Sequence, residues 1–304
     1  MIKLRGSPYL LLTLTPFFWS CNWIVGRALH DDMPPMALTF FRWLLASLVL
    51  APFVVPKLAR DWPTIRAHWR TMALLGSIGI ALHNAIAYIG LNYTTATNGV
   101  VLNSFIPVMI IAMAWMFFGE RLTRVQLLGV VVSLGGVLTI LSGGSFATLA
   151  GLRLNAGDLC VLLAMGMWSL YTVLLRRRPL GLDRLSFLFV LAIVGVVIML
   201  PLWLGETLLV RSPVWSARAF VALTGVAIFS SVLAYIFWNR GVELLGPQVA
   251  GLFVHLMPVF GALLAWLFLG ERLSAYHFAG MALILTGIGV TSRAGRAAAP
   301  AGTD

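Results

Sequence analysis

Apolar residues run along this chain in blocks of roughly twenty, separated by short polar gaps. A block of that length crosses a hydrocarbon core of about 30 Å as an α-helix, the open-chain form that satisfies its own backbone where water is absent. Ten blocks read this way: Tyr9 to Ala28, Met36 to Val55, Thr71 to Ile89, Thr97 to Phe118, Val125 to Leu141, Ala156 to Leu175, Leu185 to Leu204, Ala219 to Trp238, Gln248 to Leu269, and Ala275 to Val290. Pro34, Pro35, Pro56, Pro179, Pro213 and Pro247 fall in or beside the gaps, where a missing N–H costs nothing. The pattern predicts an all-α membrane protein of ten transmembrane helices.

Composition sharpens that picture by exclusion. Of 304 residues 60% are hydrophobic and only 10% charged, more apolar surface than a water-soluble enzyme can hide. Two cysteines, Cys21 and Cys160, and five histidines without zinc spacing rule out a disulfide scaffold or a structural metal site. The formal charge of +11 does not describe a nucleic-acid surface, because the cations sit between apolar blocks and not on one polar face. Counted in alternate gaps with the N-terminus inside, fifteen Lys and Arg lie in inner segments and five in outer ones, with Arg42 inside the second block. That bias places both termini in the cytoplasm of a bacterial-type inner membrane, with the runs Lys57 to Arg70 and Arg176 to Arg184 as topology anchors on anionic lipid. The basic lead-in to the first block lacks a cleavage pattern, so the block reads as a retained helix.

The chain repeats itself. A shift of 151 residues superimposes Pro107 on Pro258, Trp115 on Trp266, Gly129 on Gly280 and Gly136 on Gly287, and carries Gly119-Glu120-Arg121-Leu122 onto Gly270-Glu271-Arg272-Leu273. A shift of 149 pairs Trp19-Ser20 with Trp168-Ser169 and Pro52 with Pro201. Apolar composition can match Leu to Val, but not Pro, Trp and G-E-R-L in order. Residues 1–146 and 147–293 therefore read as two copies of a five-helix unit joined through the loop near Gly143 to Asn155, with 294–304 a disordered tail. Five is odd, so the second copy enters the membrane from the opposite side. Inverted repeats of this kind build secondary transporters.

The ten-span layout, the duplicated unit and the G-E-R-L turn after the fourth and ninth helices resemble the drug/metabolite transporter superfamily in its EamA branch, over about residues 8 to 292. Through Trp19-x-x-Asn22, His83-Asn84 and Trp168-Ser169 the chain is also similar to bacterial exporters of aromatic and other neutral amino acids. The resemblance implies outward transport of a small neutral molecule by alternating access. An exporter of another small metabolite or drug on the same fold is the alternative.

Polar side chains inside a span are costly and face the bundle interior or a wet cavity. Trp19, Asn22 and Trp23 share one face of the first helix, and their repeat partners are Trp168, Tyr171 and Thr172. An interfacial aromatic belt is the bland alternative for these rings. His83 and Asn84 lie halfway along the third block, where Gly76, Gly79 and Gly90 are expected to leave room for the imidazole; a buried interhelical hydrogen bond is its other reading. Asn103 precedes Pro107 and His255 precedes Pro258, both prolines read as hinges or as static kinks. Ser231, Tyr235 and Trp238 make a stripe on the eighth helix that completes the pocket or packs it. Glu120-Arg121 and Glu271-Arg272 read as local ion pairs fixing a turn, with a gate as their other reading, and the role of Arg42 stays open.

All ten acids lie at span ends, in loops or in the tail, so no carboxylate is expected at the midplane to hold a cationic drug or carry a coupled proton. No P-loop, G-x-S-x-G or H-E-x-x-H is present, which leaves ATP-driven pumping and hydrolysis without their parts. The chain thus reads as a carrier and not an enzyme, with no cofactor and no metal, whose partners are a small-molecule substrate (an amino acid) and the lipid bilayer. The oligomeric state is left open.

Overall fold

A computed structural model describes residues 7–29, 31–94, 96–151, 155–269 and 272–298. The described residues form helices and connecting turns, with no strand among them, and eight of the helices are long and apolar enough to cross a membrane. We number the long helices in chain order: α1 (Pro8–Ala28), α2 (Pro35–Ala67), α3 (Trp69–Leu91), α4 (Asn98–Phe118), α5 (Arg124–Leu141), α6 (Ala156–Arg177) and α7 (Arg184–Leu209). The run Ala217–Phe268 holds 52 residues, far longer than one crossing requires. It turns at Gly246, whose φ of 81° and ψ of 160° are open to glycine and strained for other residues. The two arms are α8 (217–245) and α9 (247–268), and α10 (Ala275–Ala298) follows.

Several boundaries depart from the hydropathy pattern. Helix α2 runs through Pro52, Pro56 and Pro63 to Ala67, twelve residues beyond the apolar block, because polar residues continue a helix as readily as apolar ones once it leaves the hydrocarbon. The linker loop carries a short helix, Phe146–Ala150. Helix α10 continues past Arg293 to Ala298, and residues 299–304 lie outside the described residues.

Helix pairing follows small residues, which let backbones approach where lipid offers no hydrophobic drive between helices. Helices α5 and α10 lie antiparallel: Gly129 faces Gly287 and Thr291, Gly136 faces Gly280 and Ile284, and Gly144 at the far end of α5 meets Tyr276 at the start of α10. Helix α2 packs on α7. Helix α3 meets α6 at Gly90, and α8 meets α1 at Gly241, where Leu12 fills the space a side chain would need; the two glycines are 151 residues apart. Helix α4 packs on α6 as α9 packs on α1, and the middle of α3 packs on α7 as the middle of α8 packs on α2. Each half therefore contributes its first helix to a groove made by the third and fourth helices of the other.

Two further features occur once per half. Residues Ser77–Leu82 of α3 and Val226–Leu233 of α8 are wound as π-helix, which shifts the backbone hydrogen-bond register and frees carbonyls locally. The helices that carry Pro107 and Pro258 are both interrupted just before the ring: α4 breaks at Ser104–Phe105 and α9 tightens to a 3-10 turn at Phe253–His255. At these breaks Ser169, whose hydroxyl donates to the Met165 carbonyl at 2.8 Å, also approaches the Ile106 carbonyl at 3.4 Å, and Ser20, which donates to the Pro16 carbonyl at 2.8 Å, approaches the Met257 carbonyl at 3.2 Å. The hydroxyl of each Trp-Ser pair thus lies against the carbonyl beside the other half's proline.

Candidate functional site

The third and fourth helices of the first half, with α1, α2, α6 and the start of α9, enclose a cavity of about 500 Å³. Its walls include Trp19 and Asn22 of α1, Arg42 of α2, His83, Asn84 and Tyr88 of α3, Asn103 of α4, Met165 and Trp168 of α6, Tyr235 of α8 and Met257 of α9. It runs outward past Gly26, Met33, Pro35 and Leu91 to exposed Asn92, at the end of the bundle where α2 and α6 begin.

Aromatic rings close the inner end. Trp19 meets Trp168 edge-on at 5.2 Å between centroids and Trp238 at 5.3 Å. Trp168 is 5.2 Å from Tyr171 and 5.5 Å from Tyr235, and Trp43 is 4.8 Å from Tyr235. Edge-to-face contacts at such separations are favourable and hold the rings as one unit. The π-turns anchor that unit: the Tyr235 hydroxyl donates to the Gly79 carbonyl at 2.8 Å, and the Trp19 indole donates to the Ser230 carbonyl at 3.3 Å. Gly79 and Ser230 are themselves 151 residues apart, so each half offers one freed carbonyl to an aromatic ring of the other. Behind the rings, Tyr171 donates to Asn239 and the Trp238 indole to Thr172.

Beyond this floor lies a second space of about 480 Å³, lined by Arg176, Arg178, Asn239, Glu243 and Gly246 among others. Charged groups knit it together. Arg184 grips Glu243 with two hydrogen bonds of 3.0 and 3.1 Å, Arg240 and Arg178 approach the same carboxylate, and Arg176 pairs with Glu120. Glu120 therefore reaches from α4 to α6 and not to its chain neighbour Arg121, which is exposed. The local turn pair expected from the sequence gives way to a link between the halves, since adjacent side chains diverge while Arg176 comes down onto the turn. Glu271 lies outside the described residues.

Of the residues singled out by sequence, Trp19, Asn22, His83, Asn84, Asn103, Trp168 and Tyr235 come together on the cavity wall. Tyr171 and Trp238 stand one layer behind, in the aromatic floor. Ser231 is fully buried, and its hydroxyl has no hydrogen-bond partner among the described residues. His255 lies outside the wall with both ring nitrogens engaged, Nδ1 with Ser133 at 2.7 Å and Nε2 with the Ser104 carbonyl at 3.0 Å. The side chain of Trp23 lies outside the described residues. The glycine face of α3 leaves no room for a ligand: Gly76 is against Val194, Gly90 against Gly157, and a Cβ on Gly79 would fall inside the Tyr171 ring.

Arg42, Trp43, Tyr88 and Asn92 join the site beyond those residues. Arg42 carried a signal, a lone cation inside an apolar block. Trp43 and Tyr88 carried none, because an aromatic residue in a span is equally at home against lipid. No carboxylate among the described residues lines the cavity; the buried acids lie at helix ends, Asp61 bonded to Ser186 and Asp158 to Thr94 and Asn98. No group of three or more His, Cys, Asp or Glu that could hold a metal occurs among the described residues.

Comparison with known proteins places these features in a family. A family model described as "EamA-like transporter family" matches twice, over residues 6–142 and 155–293. An uncharacterized transporter of Bacillus subtilis, YyaM, is 26% identical over 285 residues, covering 92% of each chain. An uncharacterized transporter of Archaeoglobus fulgidus is 27% identical over 95% of this chain and 98% of its own. The WAT1-related protein At4g08290 of Arabidopsis thaliana is 28% identical over 95% of this chain and 82% of its own. A solved crystal structure superimposes with a TM-score of 0.79 at 20% identity, covering 96% of this chain and 99% of the other, a likeness of fold.

Proposed function

The chain belongs to the EamA-like transporter family and is a multi-pass membrane transporter rather than an enzyme, and from that premise we propose that it exports small neutral metabolites, foremost aromatic and other neutral amino acids, by alternating access. The observation that carries this reading is the aromatic floor between two spaces of similar size. One space runs to the end of the bundle at Asn92, and the other is lined by Glu243 and by Arg176, the partner of Glu120. A carrier needs such a barrier, with binding groups exposed to one side at a time.

In this reading the protein has ten crossings, α1 to α10, as two inverted five-helix copies with both termini cytoplasmic, in a bacterial-type inner membrane. The antiparallel seam of α5 and α10 and the matched groove contacts of the two halves support the inversion. The ion-paired end is then the cytoplasmic gate, closed, and the cavity faces outward. Pro107 and Pro258 act as paired hinges: each removes a helix hydrogen bond, and the interrupted turns beside them absorb the bend. Trp19, Asn22, Trp23, His83, Asn84, Asn103, Trp168, Tyr171, Ser231, Tyr235, Trp238 and His255 make up the binding region, those on the wall by contact and the rest by holding the floor or changing places when the hinges move.

Counterflow of labelled phenylalanine in proteoliposomes tests the reading. Wild type is expected to accumulate label, and His83→Ala and Trp168→Ala are expected to lose at least about tenfold in rate with normal membrane insertion. Wild-type counterflow by both variants, or none by wild type, contradicts it.

A further inference from the structure

Arg42 is the odd residue of the cavity. Its side chain is only 6% exposed and lies on the cavity wall, one residue from Trp43, whose ring centroid is 5.7 Å from the guanidinium carbon. A buried cation normally has a counter-charge, because desolvation costs several kcal/mol that only an ion pair or strong hydrogen bonds offset. Arg42 has neither in full: among the described residues no carboxylate pairs with it, Nη2 reaches Asn84 Oδ1 at a long 3.4 Å, and Nε has no partner. Asn84 is held in place by its own bond of 2.7 Å to the Ile80 carbonyl, so it steadies the guanidinium without neutralising it. On the same wall, Asn22 Oδ1 and His83 Nδ1 are also buried without partners.

Resting on the amino-acid reading of this site and narrowing it, we propose that the cavity recognises its substrate by a carboxylate docked on Arg42. The guanidinium presents parallel N–H donors that match the two oxygens of a carboxylate, and the ion pair would supply the charge the protein withholds. The organic part of the substrate then lies against Trp19 and Trp168. The Asn22 side chain stands on the same wall with its Oδ1 buried, so an ammonium group meets this acceptor only once the amide turns toward the cavity, which admits an α-amino acid but makes the amino group secondary to the carboxylate. That no acid among the described residues lies on the wall agrees with this order: those residues prepare a place for an anion and none for a lone cation.

Thermal-shift titration of the purified full-length protein in detergent tests the proposal with four ligands of one shape: phenylalanine, 3-phenylpropionate, phenylalaninamide and phenethylamine. Wild type is expected to be stabilised by the first two and unaffected by the last two. Arg42→Gln is expected to weaken the acids by about 30-fold or more, and Arg42→Lys by less, since a charge without the fork keeps part of the attraction. If Arg42→Gln does not fold, the ligand series on wild type decides alone. Protection by 3-phenylpropionate without phenylalanine would sink the amino-acid reading and leave the Arg42 assignment standing. Equal protection by the amide or amine, or wild-type phenylalanine affinity in Arg42→Gln, overturns the Arg42 assignment and leaves amino-acid transport standing. A panel in which neither acid protects wild type also overturns it.

Discussion

Gly79 has no side chain because the Tyr171 ring occupies the space a Cβ would need, and its carbonyl holds the Tyr235 hydroxyl. One glycine therefore positions two of the rings in the floor. Gly79→Ala is expected to destabilise the protein by about 1–3 kcal/mol, the usual cost of overpacking, lowering the unfolding midpoint of the purified protein and loosening the barrier. Individual residues were unevenly legible in the sequence. His83, Asn84 and Trp168 declared themselves, since polar and large aromatic groups in a span need a reason to be there. The filling of the glycine face did not, because a glycine in a helix marks a close approach without saying whether a ligand or another helix makes it. The two ends of His255 were equally hidden: its partners, Ser133 and the Ser104 carbonyl, are 122 and 151 residues away.

Among the elements, the entry to α6 is the most tightly bonded. Asn155 caps the helix and Asp158 completes a capping box, while the buried Asp158 carboxylate also accepts from Thr94 on the α3–α4 connection and from Asn98 at the start of α4. Asp158→Ala leaves these donors unmatched and is expected to cost about 1–3 kcal/mol, read as a lower midpoint of thermal unfolding with helix content unchanged before the transition. Ser20 and Ser169 play matching parts at the proline breaks. Ser169→Ala is expected to slow counterflow several-fold with little change in stability, since the contact it removes from α4 is the long one to the Ile106 carbonyl beside the proposed hinge. Equal rates for variant and wild type would count against the hinge. Helix existence was legible from hydropathy almost throughout, whereas helix ends were not: α2 outruns its apolar block because its amphipathic end packs beside α7, with Asp61 bonded to Ser186. The two π-turns left no trace in the pattern, since a one-residue change in backbone register alters neither composition nor length.

For the whole molecule, the Glu120–Arg176 pair links the halves at one end, where the Glu243 cluster ties helices of the second half together, and the cavity opens toward the other end. Glu243→Gln removes the charge shared by Arg178, Arg184 and Arg240 and is expected to raise the reactivity of a cysteine placed at Asn239 toward a membrane-impermeant thiol reagent applied from the ion-paired side. Unchanged reactivity would argue that these ion pairs close nothing. The duplication itself was readable because Pro, Trp and G-E-R-L recur at a constant spacing. The exchange of first helices between the halves was not, since spacing reports ancestry and says nothing of which copy packs on which.

Two copies threaded in opposite directions around one chamber is the claim on which the transport reading rests. Single cysteines at Arg121 and Arg272, one in each G-E-R-L turn, labelled in intact cells with an impermeant maleimide and again after permeabilisation, test it most directly. The account predicts that the cysteine at 272 reacts from outside and that the one at 121 reacts only after the membrane is opened. Labelling of both from the same side would contradict it.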